Sequence, residues 1–329
     1  MGGALVIGVG QIGQAMAALL LERGWTVTVA HRGSSVTPMS LVAAGVRTVL
    51  FDRNDDAAFQ VALTPGFDIA VDTVAYDVGH ADQWNAARHR IGRLAVISTG
   101  SVYADASGRT LDEAVVAGFP HYPVPIPESQ PRIAAGATTY STRKAAMENT
   151  LLAAWDDGLT ILRPFAVHGP GSRSPREWWF LARWLAGARV VRLPFDGESR
   201  FHTSAADNIA ALACTALQSS GIHVLNAADP EALTVTEIGR AIASALEWEV
   251  EFVGYSGPPA TPADGTPWSG PRAVVADLRA AQALGYSPVT DYRKSSHHTC
   301  QALLKAAEAS GWRQAFPGLA VYPEGMFEP

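Results

Sequence analysis

Ala4-Leu5-Val6-Ile7 is an unbroken apolar run, followed at once by Gly8-x-Gly10-x-x-Gly13 and by QIGQAMAALLLE at 11–22. The run suits a strand buried on both faces, and the apolar residues after it recur at helical spacing until Arg23-Gly24 ends the pattern. A strand that feeds a helix through three spaced glycines leaves few folds open. Gly8 permits the tight turn, Gly10 lets the backbone approach a pyrophosphate, and Gly13 allows close helix–strand packing. The helix N-terminus adds free N–H groups and a positive dipole for that anion. The competing reading is a glycine-rich turn that binds nothing.

The alternation continues. Strands are expected at 25–30, 47–51, 67–71 and 93–98, with helices near 38–44, 55–62 and 80–91 between them. Strand, helix, strand in repetition means parallel strands joined by right-handed crossovers, so the chain reads as α/β with a Rossmann-like doubly wound sheet. After Ser98 a long connection, 104–139, carries Pro120, Pro123, Pro125, Pro127 and Pro131. Such a loop is either a lid or pocket wall, or a rigid surface excursion. Helix is expected again at 140–155, strand at 159–163, helix at 175–185 (PREWWFLARWL) and at 208–217, with a Pro/Gly-rich loop at 256–271. Residues 1–170 are expected to form the dinucleotide-binding domain, joined by strands returning from 201–228. Residues 171–329 would form a smaller, partly interleaved, substrate-binding lobe. Trp178, Trp179 and Trp184 either stack on a ligand ring or fill that lobe's core, and core packing is the expected role.

Composition narrows the class. Of 329 residues 48% are hydrophobic and 17% charged, which is globular, and the net charge of −6 offers no basic surface for nucleic acid. Cys214 and Cys300 form no disulfide framework and no metal-ligand spacing, and His297-His298 has no partner motif, so no metal is expected. With no charged-then-apolar leader and no membrane-length apolar stretch, a cytoplasmic protein is expected.

A cofactor that carries only a ribose 2′-hydroxyl is usually held by Asp or Glu at the end of the second strand. This chain has Val29-Ala30-His31-Arg32-Gly33 there, and a basic side chain suits a 2′-phosphate, so NADP is favoured over NAD. The alternative is that Arg32 is a solvated loop charge and either nucleotide serves. Asp52, at the end of the third strand and followed by Arg53, is placed to reach the adenine edge. In Tyr140-Ser141-Thr142-Arg143-Lys144 the phenol and the ammonium share a helix face. An adjacent cation would lower the tyrosine pKa from about 10 toward neutrality and fit it for proton exchange with a substrate oxygen. Ser98-Thr99-Gly100-Ser101-Val102-Tyr103 closes the fifth strand, at the sheet edge where ligands sit in such folds.

These segments, with LRPFAVHGPG at 162–171, resemble an extended short-chain dehydrogenase/reductase of the NAD-dependent epimerase/dehydratase superfamily. FHTSAADNIAAL (201–212) and GIHVLNAAD (221–229) extend the likeness over roughly residues 4–240. The resemblance implies a catalytic Thr99, an acid/base Tyr140, and a Lys144 that also grips the nicotinamide ribose. It implies cofactor contacts from Gly8, Gly10, Gln11, Ile12, Gly13, His31, Arg32, Asp52, Arg53, Val74 and Ala75, with Pro164, Phe165 and Val167 walling the nicotinamide. Ser101, His168, Arg173 and Arg200 are its candidates for substrate contact, although a structural role competes for His168. Asp207 and Asn208 are expected to cap or orient the helix that follows them. A homodimer through the Tyr140 helix is also implied.

Departures matter as much. Gly100 and Ser101 replace the acidic pair of the dehydratase branch, so loss of water is not expected. Ala166 replaces the Asn of the nucleotide-sugar branch, which speaks against an ordinary nucleotide-sugar substrate. The leading expectation is an NADP-dependent oxidoreductase acting on a carbonyl or alcohol of a polar sugar-like or secondary-metabolite small molecule. A sugar or nucleotide-sugar epimerase, and a non-catalytic dinucleotide sensor or RNA-binding relative, are its rivals.

Overall fold

The computed structural model describes residues 2–328, the side chains of Val115 and Val116 excepted. Its eleven strands are β1 Gly3–Ile7, β2 Thr26–His31, β3 Arg47–Leu50, β4 Phe67–Asp72, β5 Ile91–Ile97, β6 Leu159–Pro164, β7 Ala166–His168, β8 Val190–Leu193, β9 Thr203–Ala205, β10 Ile222–Ala227 and β11 Glu251–Gly254. The helices are α1 Gln11–Glu22, α2 Met39–Ala43, α3 Asp56–Ala62, α4 Val78–Ala87, α5 Ala114–Ala117, α6 Tyr140–Ala154, α7 Trp178–Leu185, α8 Ala206–Ala216, α9 Val235–Ala245, α10 Arg279–Ala283, α11 Tyr292–Ser310 and α12 Trp312–Ala315.

Seven parallel strands form the central sheet in the order β10-β6-β5-β4-β1-β2-β3. The direction of winding reverses between β1 and β4, which opens a crevice beyond their carboxyl ends. The apolar run of β1 explains its central place. Ala4 and Val6 enter the core under α1 and α8, while Leu5 and Ile7 enter the one under α3, α4 and α6. Ile69 and Val71 of β4 join the first core and Ala70 the second; Ala95 and Ile97 of β5 join the first, Leu94 and Val96 the second. A strand covered on both faces has no polar side to show, hence the continuous hydrophobicity.

β10 completes the sheet beside β6, with Ile222 opposite Leu159. A third core lies apart from these two, built from α7, α9, α11 and residues 312–327. Trp178 and Trp179 are buried in it, whereas Trp184 stays partly exposed outside that cluster.

The Pro-rich connection is firmly built. Asp105 accepts hydrogen bonds from the backbone N–H groups of Ser107, Arg109 and His121, at 2.8 to 3.0 Å, and from the Arg109 guanidinium. These bonds hold its carboxyl far below the usual range against the opposing effect of burial. Further along, Tyr122 donates to the Tyr103 carbonyl and Ile126 N–H to the Val275 carbonyl, clamping the loop between the sheet and residues 274–277. The segment is held in place by these bonds. No helix among the described residues is long and apolar enough to cross a membrane.

Candidate active site

The turn after β1 meets the segment after β4 at the winding reversal. Thr73 donates to the Ile7 carbonyl through its backbone N–H at 2.9 Å and through its hydroxyl at 2.8 Å. Gly8 has φ +97°, and a Cβ there would lie 2.2 Å from the Thr73 hydroxyl; one on Gly13 would lie 2.0 Å from the Gly8 carbonyl oxygen. Both glycines answer to the protein's own packing. Gly10 does not: a Cβ on it would meet nothing within 4 Å. It caps α1 without a side-chain bond, so the first-turn N–H groups there lack a side-chain cap. Gln11 beside it buries a side-chain oxygen that has no hydrogen-bond partner.

A cleft of about 420 Å³ opens over this turn. Gly8, Gly10, His31, Arg32, Asp52, Arg53 and Val74 line it, as do Tyr76, His80 and, from the C-terminal half of the chain, Arg173. Gln11, Ile12 and Ala75 stand immediately beside these residues in the chain. The cradle fits an extended anionic ligand: open backbone at Gly10, an uncapped helix start, and exposed cationic side chains.

The cations differ in what they can offer. His31 accepts from Gly33 N–H through Nδ1 and bonds Thr37 through Nε2, and burial lowers its pKa, so it shapes the loop as a neutral ring. Arg32 is exposed and bonds only the Ser34 hydroxyl. The Arg53 guanidinium pairs with the fully buried Asp72 at 2.8 Å and lies 4.2 Å over the Phe59 ring. Asp72 also accepts from Trp84 and from Val74 N–H, so Arg53 neutralises a core carboxylate, while its buried Nη1 has no hydrogen-bond partner and the residue lines the cleft.

Beyond the carboxyl end of β5, Thr99, Tyr140 and Lys144 come together. Thr139 caps α6, exchanging bonds with Thr142, and so fixes where Tyr140 starts its helix. The Lys144 ammonium is buried and donates to the carbonyls of Ala75 at 2.5 Å and Ile97 at 2.9 Å. It sits 4.9 Å from the Tyr76 ring centroid and 5.7 Å from that of Tyr140. Burial lowers its pKa to about 8.

The expected lowering of the Tyr140 pKa is corrected here. Tyr140 remains 38% exposed as a residue, yet its pKa is raised, first by desolvation of the hydroxyl and then by Tyr76, with Asp112 adding and a hydrogen bond with Thr99 opposing. The reason is geometric: the ammonium is aimed at two strand-end carbonyls rather than at the phenol oxygen. Tyr76 and Asp112 belong to this site and were missed in the sequence. Tyr76 could have been noticed as an aromatic at the carboxyl end of a parallel strand. Asp112, which accepts from Ser141 N–H at 2.9 Å, carries no local signal at all.

Phe165 lies against the Thr99–Gly100 turn, where a Cβ on Gly100 would come within 2.9 Å of its ring. Pro164 beside it is buried, and Val167 packs into the core under α1 and α8. The Ser101 backbone N–H donates to the Thr99 hydroxyl at 3.1 Å.

The remaining candidates for substrate contact move elsewhere. His168 is 1% exposed and bonds Asp229 at 2.7 Å; its pKa is raised by that carboxylate despite burial. Asp229 accepts also from Thr203, Ala205 N–H and Asn208, so His168 ties β7 to β9 and α8. Arg200 donates to the Ala232 carbonyl, and Arg173 lines the cleft over the glycine turn. Asn208 bridges Asp229 to the backbone of Val289 and Thr290, and Asp207 stands in the first turn of α8, which has no side-chain cap. No group of three or more His, Cys, Asp or Glu that could hold a metal occurs among the described residues.

Comparison with known proteins agrees with this architecture. Residues 4–228 match the family described as NAD dependent epimerase/dehydratase. Over 212 residues the chain is 28% identical to 2′-dehydrokanamycin reductase of Streptomyces kanamyceticus, covering 62% of this chain and 54% of that one, so it spans about half the length of this curated relative. Among solved structures, a UDP-N-acetylglucosamine 4-epimerase from Methanobrevibacter ruminantium M1, in complex with UDP-N-acetylmuramic acid, superposes with TM-score 0.70 at 18% identity, over 92% of this chain and 98% of that one. The Bordetella bronchiseptica enzyme WbmH, in complex with NAD+, gives TM-score 0.68 at 18% identity over 93% and 99%. At such identities the likeness speaks for the Rossmann-like fold alone. The family match covers most of the chain, and the protein therefore belongs to the NAD dependent epimerase/dehydratase family.

Proposed function

We propose that the protein is an NADP-dependent reductase of a carbonyl on a polar, sugar-like small molecule, and that Thr99, Tyr140 and Lys144 carry the proton chemistry. The observation that supports it most is the meeting of Thr99, Tyr140 and Lys144 beyond the carboxyl end of β5, with the Tyr140 phenol hydrogen-bonded to Thr99 and the Lys144 ammonium 5.7 Å from its ring. A protonated phenol so placed is the proton donor that a carbonyl oxygen needs as hydride reaches its carbon. A bound nicotinamide dinucleotide would supply that hydride. Thr99, on the turn that Phe165 packs against, orients the oxygen; Tyr140 delivers the proton from its hydroxyl. Lys144, held by the Ala75 and Ile97 carbonyls, would place a positive charge beside Tyr140 and grip the nicotinamide ribose. Arg32, exposed and free of carboxylate partners, favours the 2′-phosphate and so NADP. The curated relative's name, a reductase of a dehydro-sugar ring, points the same way.

The test is turnover of NADPH against a panel of keto-sugars and keto-aminoglycosides by the wild type and by Tyr140→Phe. The variant should bind NADPH normally and lose kcat by about 10²–10⁴-fold, the usual worth of a positioned acid. Full activity in the variant would sink the mechanism. Purified protein that releases stoichiometric NAD on denaturation would instead favour an epimerase, which recycles a retained cofactor.

A further inference from the structure

Arg173 lines the cleft from the C-terminal half of the chain, and it forms no ion pair and donates no side-chain hydrogen bond among the described residues. The loop that carries it is nonetheless fixed. Gly318 N–H donates to the Arg173 carbonyl at 2.9 Å, and a Cβ on Gly318 would stand 2.9 Å from that oxygen. Gly171, two residues before, lies so close to Gln14 of α1 that a Cβ would be 3.1 Å from its amide nitrogen, and Gln14 in turn donates to the Val9 carbonyl at 2.8 Å. The backbone that carries this guanidinium is therefore fixed beside α1, and the residue lines the same cleft as Gly10. Arg32, after β2, lines the same cleft, and Arg53 is paired with Asp72.

An extended dinucleotide carries anionic phosphates in two places, the pyrophosphate in its middle and, in NADP, the 2′-phosphate at one end. We infer that Arg173 is a pyrophosphate-binding residue that closes over the dinucleotide from the C-terminal half of the chain, facing the α1 N-terminus, while Arg32 reads the 2′-phosphate. The assignment rests on the dinucleotide reading above. A guanidinium beside a phosphate gives charge-assisted, often bidentate hydrogen bonds, so its loss should cost about ten- to a hundredfold in affinity.

Four probes separate the two arginines: NADP+, NAD+, ADP-ribose, which keeps the pyrophosphate without nicotinamide or 2′-phosphate, and adenosine 2′-monophosphate, which keeps the 2′-phosphate alone. Calorimetric titration of Arg173→Ala should show the loss for NADP+, NAD+ and ADP-ribose alike, with adenosine 2′-monophosphate bound as by the wild type. Arg32→Ala should show the reverse pattern: losses for NADP+ and adenosine 2′-monophosphate, none for NAD+ and ADP-ribose. Wild-type affinity for all four probes in Arg173→Ala would overturn the inference while leaving the dinucleotide reading intact. So would a loss confined to the 2′-phosphate probes. A wild type that binds neither dinucleotide nor ADP-ribose would overturn the reading itself.

Discussion

Lys144 holds a buried charge that forms no ion pair with a carboxylate among the described residues. Two backbone carbonyls receive its protons, and burial lowers its pKa from the ordinary 10.5 to about 8. The folded state therefore binds fewer protons than the unfolded chain between these values. Stability carries the full penalty below about pH 8 and recovers as pH rises toward 10.5. Urea unfolding of the wild type and of Lys144→Met across pH 7 to 10 should show the wild type gaining on the variant in the upper half of that range. A difference that stays flat would mean the ammonium is not desolvated. The pairing of Tyr140 with Lys144 was legible from their spacing on one helix face. The direction of the phenol's shift was not, because the carbonyls that draw the ammonium away belong to β5 and to the segment after β4, Tyr76 comes from that same segment, and Asp112 reaches the phenol from the long connection before α6.

Among the elements, α1 shows how three similar glycines do different work. Gly13 faces the Gly8 carbonyl too closely for any side chain, whereas Gly10 faces open space. Gly13→Ala should thus lower both thermal stability and nucleotide affinity. Gly10→Ala should leave the melting temperature within about a degree of wild type and still weaken nucleotide binding, since only a ligand competes for that space. Thermal denaturation with a nucleotide titration on each variant decides the matter; equal stability losses would refute the distinction. β1 and α1 were readable from an unbroken apolar run, spaced glycines and then apolar residues at helical spacing, and the later strands of the first half from shorter apolar runs that alternate with helical stretches. Their ends moved by a few residues, as at β5, which begins at Ile91 rather than Arg93. The Pro-rich connection and the side-chain commitments of Arg53, His168 and Arg200 were not readable. Each is decided by a partner distant in sequence, respectively the 274–277 segment, Asp72, Asp229 and the Ala232 carbonyl.

Across the whole molecule a buried polar network joins parts that no local pattern connects. Glu148 on α6 accepts from Arg163 on β6 through both oxygens, at 3.0 and 2.6 Å, and from Arg132 of the Pro-rich connection at 2.7 Å. Arg163 also donates to the Tyr103 hydroxyl, which donates to Asn226 on β10 at 2.6 Å. Glu148→Ala would strand the Arg163 charge, which is 3% exposed, and should cost about 3–5 kcal/mol in urea unfolding. A cost under about 1 kcal/mol would show that water reaches Arg163. The edge strand of this network has a further consequence in time. β10 begins at Ile222 and pairs with β6 at Leu159, so a growing chain lays down the centre of the sheet well before the strand that seals its rim. Until residue 227 has emerged, β6 is an open parallel edge with Glu148 and Arg163 already beside it and Asn226 still missing. During synthesis the protein therefore passes through an interval in which its rim can template another chain, and the last strand ends that exposure as it docks.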